Sequence, residues 1–142
     1  MVNFALDKDQ QAIQAKYREF TEQYIIPNRM KYDELAEFPW EVVKAAYEHK
    51  IVNGLIPPKF GGNGYDLMGG ALASEEFGAG CVGIGICIDA STLALTPLII
   101  SGNDEQHKRF FGLINEVKGV AAYALTEPNA GSDVAGIKSS AI

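Results

Sequence analysis

The sequence predicts a mainly α-helical domain that passes, near its C-terminal end, into the opening of a β region. Three observations carry this. Two helix starts are written as capping boxes, Asp7 with Gln10 and Asn103 with Gln106, each followed by apolar residues at helical spacing. A long run from Cys81 to Ile100 carries Asp89 as its one formal charge. After Gly119 the texture changes to a compact apolar run, Val120–Thr126, closed by turn-forming residues, which is the pattern of a strand. The division that follows is a helical domain over 1–118 and the first strands of a β domain over 119–142.

Taken in order, Ile13, Tyr17, Phe20 and Tyr24 recur at i, i+4, i+7 and i+11, the stripe of a one-faced helix that Pro27 is expected to end. A short polar helix is expected over Lys31–Glu37. Pro39 then opens a better one, with Val42, Val43, Ala46 and Tyr47 on one face, fading near Asn53 and Gly54. Ile56–Asp66 holds two prolines and three glycines in eleven residues and reads as an ordered loop, with positive φ expected at Gly61, Gly62 or Gly64. Asp66 caps a helix carrying Leu67, Ala71, Glu75 and Glu76. A buried helix follows from Cys81 to Thr96, and Pro97 should bend or restart it. The Cys81–Ile100 run approaches the length of a membrane span, but Gly83, Gly85, Asp89, Ser91, Thr92 and Pro97 favour a core helix. Phe110, Ile114 and Val117 define the last helix, ended by Gly119. Beyond the strand and its turn, Gly136–Ile142 looks like the start of a second strand.

The chain has 142 residues, 47% of them hydrophobic and 21% charged, enough for one sizeable core. A net charge of −6 argues against nucleic acid or an anionic membrane, either of which needs clustered cations. Cys81 and Cys87 lack metal or redox spacing and read as buried free thiols. His49 and His107 lie among charged neighbours on amphipathic helices and read as solvated groups, so no metal site is expected. The opening MVNFALDKDQQ has no targeting character. The glycines of FGGNGYD do not complete a dinucleotide fingerprint. The informative stretch is Tyr123–Lys138: Tyr123 and Leu125 would point one way on a strand, Thr126 would present a hydroxyl at its end, and Gly131 and Ser132 would offer adjacent N–H groups suited to anionic oxygens. An ordinary turn would use the same residues.

YALTEPNAGSDVAGIK closely resembles the signature of acyl-CoA dehydrogenases, with its Thr-Glu-Pro and Gly-Ser-Asp. IPPKFGGNGYD resembles the family's Pro and Gly-Gly-x-Gly loop, and LTPLIISGNDEQHKRF its helix junction. The three segments cover nearly the whole chain, and the closest flavour is medium-chain.

The resemblance implies FAD as cofactor, contacted by Tyr123, Leu125 and Thr126, the last near the redox-active N5 region. Gly131 and Ser132 would serve the ribityl-pyrophosphate end, with Ser132 also touching CoA. Gly85, Ile86, Asp89 and Leu93 would line the fatty-acyl pocket, Gly85 standing where relatives often carry a bulkier residue. Glu127 and Asp133 are assigned to turn capping. The substrate would be acyl-CoA, the product trans-2-enoyl-CoA, and the electron acceptor an electron-transfer flavoprotein. The catalytic base is a glutamate on a C-terminal domain, and none of Glu75, Glu76, Glu105 or Glu116 matches its motif. Little dehydrogenase activity and weak FAD affinity are therefore expected of these residues alone. Homo-oligomers are typical of the family, and its location is the mitochondrial matrix, or the cytoplasm in bacteria. A non-catalytic helical interaction module and an acyl-CoA oxidase relative stand as alternatives.

Overall fold

The computed structural model describes residues 4–141. Helix α1, Lys8–Phe20, starts at the expected capping box: Asp7 accepts from the Gln10 N–H and Gln10 reaches back to the Asp7 N–H. Pro27 does not end the helical path. The chain widens into a π turn at Thr21–Ile25, tightens through Ile26–Asn28, and runs on as α2, Arg29–Leu35. The widening accommodates a residue that lacks an N–H, and Asn28 Nδ2 donates to the Tyr24 carbonyl (2.9 Å) within the same turn. Ala36, in the left-handed region (φ 52°), stops α2 before Glu37.

Helix α3 is Trp40–Glu48, with Pro39 at its entrance. It closes at Lys50 rather than fading near Asn53: Lys50 takes φ 53°, its N–H bonds the Tyr47 carbonyl, and the Ile51 N–H bonds that of Ala46. This is a Schellman closure with lysine in the seat usually held by glycine. In the loop that follows, Gly61 (φ 85°) and Gly64 (φ 67°) supply the left-handed turns. Gly62 does not. It is needed for contact, since a Cβ there would fall 2.0 Å from the Ile56 carbonyl oxygen.

Helix α4, Leu67–Ser101, is capped by Asp66 and broken at Cys81, whose backbone is extended (φ −165°, ψ 113°). The break therefore lies at Cys81, and the helix runs through Pro97, the residue after Thr96, whose hydroxyl donates to the Thr92 carbonyl. Gly80 explains the location. A Cβ there would sit 2.4 Å from Thr21 Cγ2 and 3.1 Å from Ile25 Cγ2, so the π turn seats directly on a residue without a side chain. Arg29 donates to the Gly80 carbonyl that the break exposes (3.4 Å). The two arms then approach so closely that a Cβ on Gly85 would lie 2.8 Å from Phe77 Cβ. Helix α5, Asp104–Val117, has the second capping box and ends at Lys118 (φ 47°), just before Gly119.

The main core joins α1, α3 and both arms of α4 through Tyr17, Phe20, Ile25, Val42, Val43, Ala46, Phe77, Ile84 and Ile88. A smaller one joins Ile56, Leu95, Phe111 and Ile114. The arm after Cys81 is only partly buried: Val82, Ile86, Leu93 and Ile100 face outward.

Two expectations about strands are corrected. Among the described residues Val120–Thr126 forms no regular element and pairs with no strand, because a strand is completed only by a neighbour's N–H and C=O groups and none lies alongside. The one β-type contact is an isolated bridge between Glu127 and Ala130. Gly136–Ile142 opens with the last residue of a short helical turn, Val134–Gly136, and continues irregularly, Ile142 lying outside the described residues. Cys81 and Cys87 are free thiols, but half-buried rather than buried.

Candidate functional site

The segment after α5 is held to the helical body at its root. The Ala121 N–H donates to the hydroxyl of Ser91 (2.8 Å), a buried residue of α4, and the Tyr47 hydroxyl donates to the Gly119 carbonyl (2.6 Å). Ala121 also packs on the smaller core. Past this anchor the chain is open. Tyr123 and Leu125 are 47% and 40% exposed, and Thr126, Gly131 and Ser132 lie at the surface. Glu127 closes the turn, its carboxylate accepting from the N–H groups of Lys138 and Ser139 (2.9 Å each). The Ser139 hydroxyl and these N–H groups hold the Glu127 carboxyl below its ordinary range. Asp133 makes no side-chain cap, contrary to expectation.

The second half of the site is on α4. Val82, Ile86, Asp89 and Leu93 recur at i, i+4, i+7 and i+11 and share a face, on which Ile86 is 60% and Leu93 59% exposed. A cavity of about 240 Å³ opens beside it, walled by Phe77, Val82, Gly85, Ile86, Ser74 and Asp89. Asp89 is the polar member. The Thr92 hydroxyl donates to its Oδ1 (2.9 Å), yet burial wins and pushes its carboxyl above the usual range. Gly85 is buried where the arms cross, so its place in the wall comes with a packing role.

Both halves thus hang from one helix, because Ser91 stands two residues after Asp89 and holds the root of the segment that follows α5. Ser91, Tyr47, Ser74 and Phe77 were not legible as site residues. Each is an ordinary residue of a helix whose importance comes from a partner 8 to 72 positions away. Glu76, 9% exposed, is clamped by Arg18 through two hydrogen bonds of 3.0 and 2.7 Å. No group of three metal-binding side chains occurs among the described residues. His49 is exposed and bonded to the Tyr24 hydroxyl (2.8 Å). His107 is not the solvated group expected: it is half-buried, stacks on Phe111 and donates from Nε2 to the Leu98 carbonyl (2.7 Å).

Residues 7–116 match the family model of the acyl-CoA dehydrogenase N-terminal domain. The chain belongs to the acyl-CoA dehydrogenase family. Within that family it is 39% identical over 137 residues to the probable medium-chain specific acyl-CoA dehydrogenase 2, mitochondrial, of Caenorhabditis briggsae, covering 96% of this chain and 34% of the relative. Its fold matches, with a TM-score of 0.83 and 30% identity, an acyl-CoA dehydrogenase complexed with FAD from Bacillus anthracis, over 97% of this chain and 24% of that one. It matches with a TM-score of 0.86 and 31% identity a chain in a structure titled for the electron transferring flavoprotein of Acidaminococcus fermentans, over 95% of this chain and 36% of that one. The chain spans about a third of the length of the curated relatives it matches.

Proposed function

We propose that these residues form the N-terminal part of a flavin-dependent dehydrogenase that converts medium-chain acyl-CoA to trans-2-enoyl-CoA. The observation that carries the reading is the tether from Ala121 to Ser91, which suspends the Tyr123–Ser132 segment from the helix that carries the apolar groove. The segment suits FAD on its own features. Its apolar side chains and the Thr126 hydroxyl stand open, and an added Cβ at Gly131 would meet nothing within 4 Å, so a ligand can approach the backbone there. Tyr123, Leu125 and Thr126 would hold the isoalloxazine, and Gly131 and Ser132 the ribityl-pyrophosphate, with Ser132 also toward CoA. When bound, FAD supplies the two-electron acceptor that the oxidation needs.

The chain's own part is binding and orientation. Gly85, Ile86, Asp89 and Leu93 take the acyl tail, and Ile86 and Leu93 strip water from it at about 0.8 kcal/mol per methylene covered. No carboxylate of this chain is assigned the α-proton: Glu76 is committed to Arg18, and Asp89 belongs to the tail end. The base is assigned to a glutamate outside these 142 residues, as is the remainder of the β domain that residues 119–142 begin. Electron-transfer flavoprotein is the proposed electron acceptor of the whole enzyme, and the medium-chain assignment is supported by the printed name of the nematode relative.

A flavin absorbance titration tests the reading. The 142-residue chain should bind FAD weakly, with Thr126→Ala and Ser132→Ala each weakening it further, and octanoyl-CoA should not bleach the bound flavin. A tight yellow complex that turns over octanoyl-CoA would overturn the assignment of the base. Identical affinity in both variants would overturn the assignment of the segment.

A further inference from the structure

Two openings flank the outward arm of α4 and meet at one polar partition. The first is the groove of about 240 Å³ between Phe77, Val82 and Ile86. The second, about 280 Å³, lies behind it between Tyr17, Leu55, Tyr65 and Thr92. Ser74 and Asp89 stand in the walls of both.

The partition is a carboxylate without a cation. Thr92 donates to Oδ1 of Asp89 and the Ser74 hydroxyl also favours its ionised form, but among the described residues no Lys, Arg or His pairs with it, so its remaining acceptor positions are left to solvent. An alkyl tail that filled the groove would end against that carboxylate and remove its water without replacing the hydrogen bond. Leaving a polar group dry and unpaired is costly, and most so for a charged one. A tail ending in a hydroxyl would replace the lost water with a charge-assisted bond. A tail ending in a carboxylate would place like charges together.

We infer that Ser74 and Asp89 form a terminal subsite that selects acyl groups bearing a hydrogen-bond donor at the far end, ω-hydroxyacyl thioesters above plain alkyl ones. This rests on the acyl-CoA reading of the groove and narrows its substrate class. The walls of the subsite lie within residues 17–92, so the chain itself can be used.

Calorimetric titration with octanoyl-CoA and 8-hydroxyoctanoyl-CoA gives a ratio of dissociation constants in one sample, which cancels differences in folded fraction. The hydroxylated thioester should bind at least about tenfold more tightly, the worth of one hydrogen bond to a charged acceptor. Asp89→Leu should abolish or reverse the preference, while Asp89→Asn, which keeps an accepting oxygen, retains part of it. Octanoyl-CoA binding equally well or better to the native chain would overturn the inference while leaving the acyl-CoA reading intact. An unchanged ratio in Asp89→Leu would overturn it equally. If neither thioester binds the folded chain, the acyl-CoA reading of the groove fails first and the inference goes with it.

Discussion

Replacing Ser91 with alanine tests the tether on which the site depends. The substitution removes a hydroxyl that accepts the Ala121 N–H at 2.8 Å and leaves that N–H without a partner among the described residues. A single neutral hydrogen bond contributes about 1 kcal/mol net, which corresponds to about a fivefold change in the equilibrium between docked and released segment. The effect should be local. Ser91 is buried, but Leu95 and Phe111, which form the surrounding core, are untouched, so only the root of residues 120–126 should loosen. Hydrogen exchange read residue by residue is the assay: the Ala121 amide should exchange about fivefold faster, with amides of Tyr17 and Val43 unchanged. Tyr47→Phe, which removes the 2.6 Å bond to Gly119, should act in the same direction. Since the two anchors are two residues apart, their effects should be coupled rather than additive. Unchanged exchange at Ala121 in Ser91→Ala would refute the tether. A fall in melting temperature of more than about 5 °C would show Ser91 to be a global core element instead, since that exceeds what about 1 kcal/mol produces in a chain of this size.

Other consequences follow from packing and charge. Gly80→Ala places a methyl 2.4 Å from Thr21 Cγ2 and should cost about 1–3 kcal/mol in a urea melt through overpacking; a neutral result would mean that the π turn moves freely on α4. Burial raises the Asp89 carboxyl pKa in the folded chain, so its stabilising contribution is complete below the unfolded value and is lost as pH rises through the folded one. Asp89→Asn should therefore raise the melting temperature at neutral pH and flatten its pH dependence in the mildly acidic range, a thermal-shift measurement that a drop in melting temperature would contradict. Glu127 has the opposite sign: held low by Ser139 and Lys138, its contribution is present above the ordinary carboxylate range and disappears as pH falls through its lowered value. Protection of the Lys138 and Ser139 amides should accordingly fade in acid, and Glu127→Gln should show the loss already at neutral pH.

The residues that announce helix starts act over one turn, and for that reason they could be read without coordinates. Asp7 with Gln10, Asp66, and Asn103 with Gln106 bond their own first-turn backbones, and all three caps are present. The stripe of Ile13, Tyr17, Phe20 and Tyr24 likewise encodes the buried face of α1 through helical period alone. The candidate residues Tyr123, Leu125, Thr126, Gly131 and Ser132 could be proposed together because they lie within ten positions of one another, whereas Ser91 and Tyr47, which anchor the root of their segment, could not.

What the amino-acid sequence determined alone was the family, the caps and the order of helices; the outward face of the arm after Cys81, expected to be buried, was not among them. Tertiary structure decided where helices bend and which polar groups meet. Pro27 and Pro97 were the local breakers, yet the chain runs helically past both and breaks at Cys81, because Gly80 must admit Thr21 and Ile25 from an element some sixty positions away. In the same way His107 turned inward to the Leu98 carbonyl, and Val120–Thr126 was left without a strand partner among the described residues. A helix end is satisfied by its neighbours in sequence; a bend, a buried hydroxyl or a strand is satisfied only by groups that folding brings alongside.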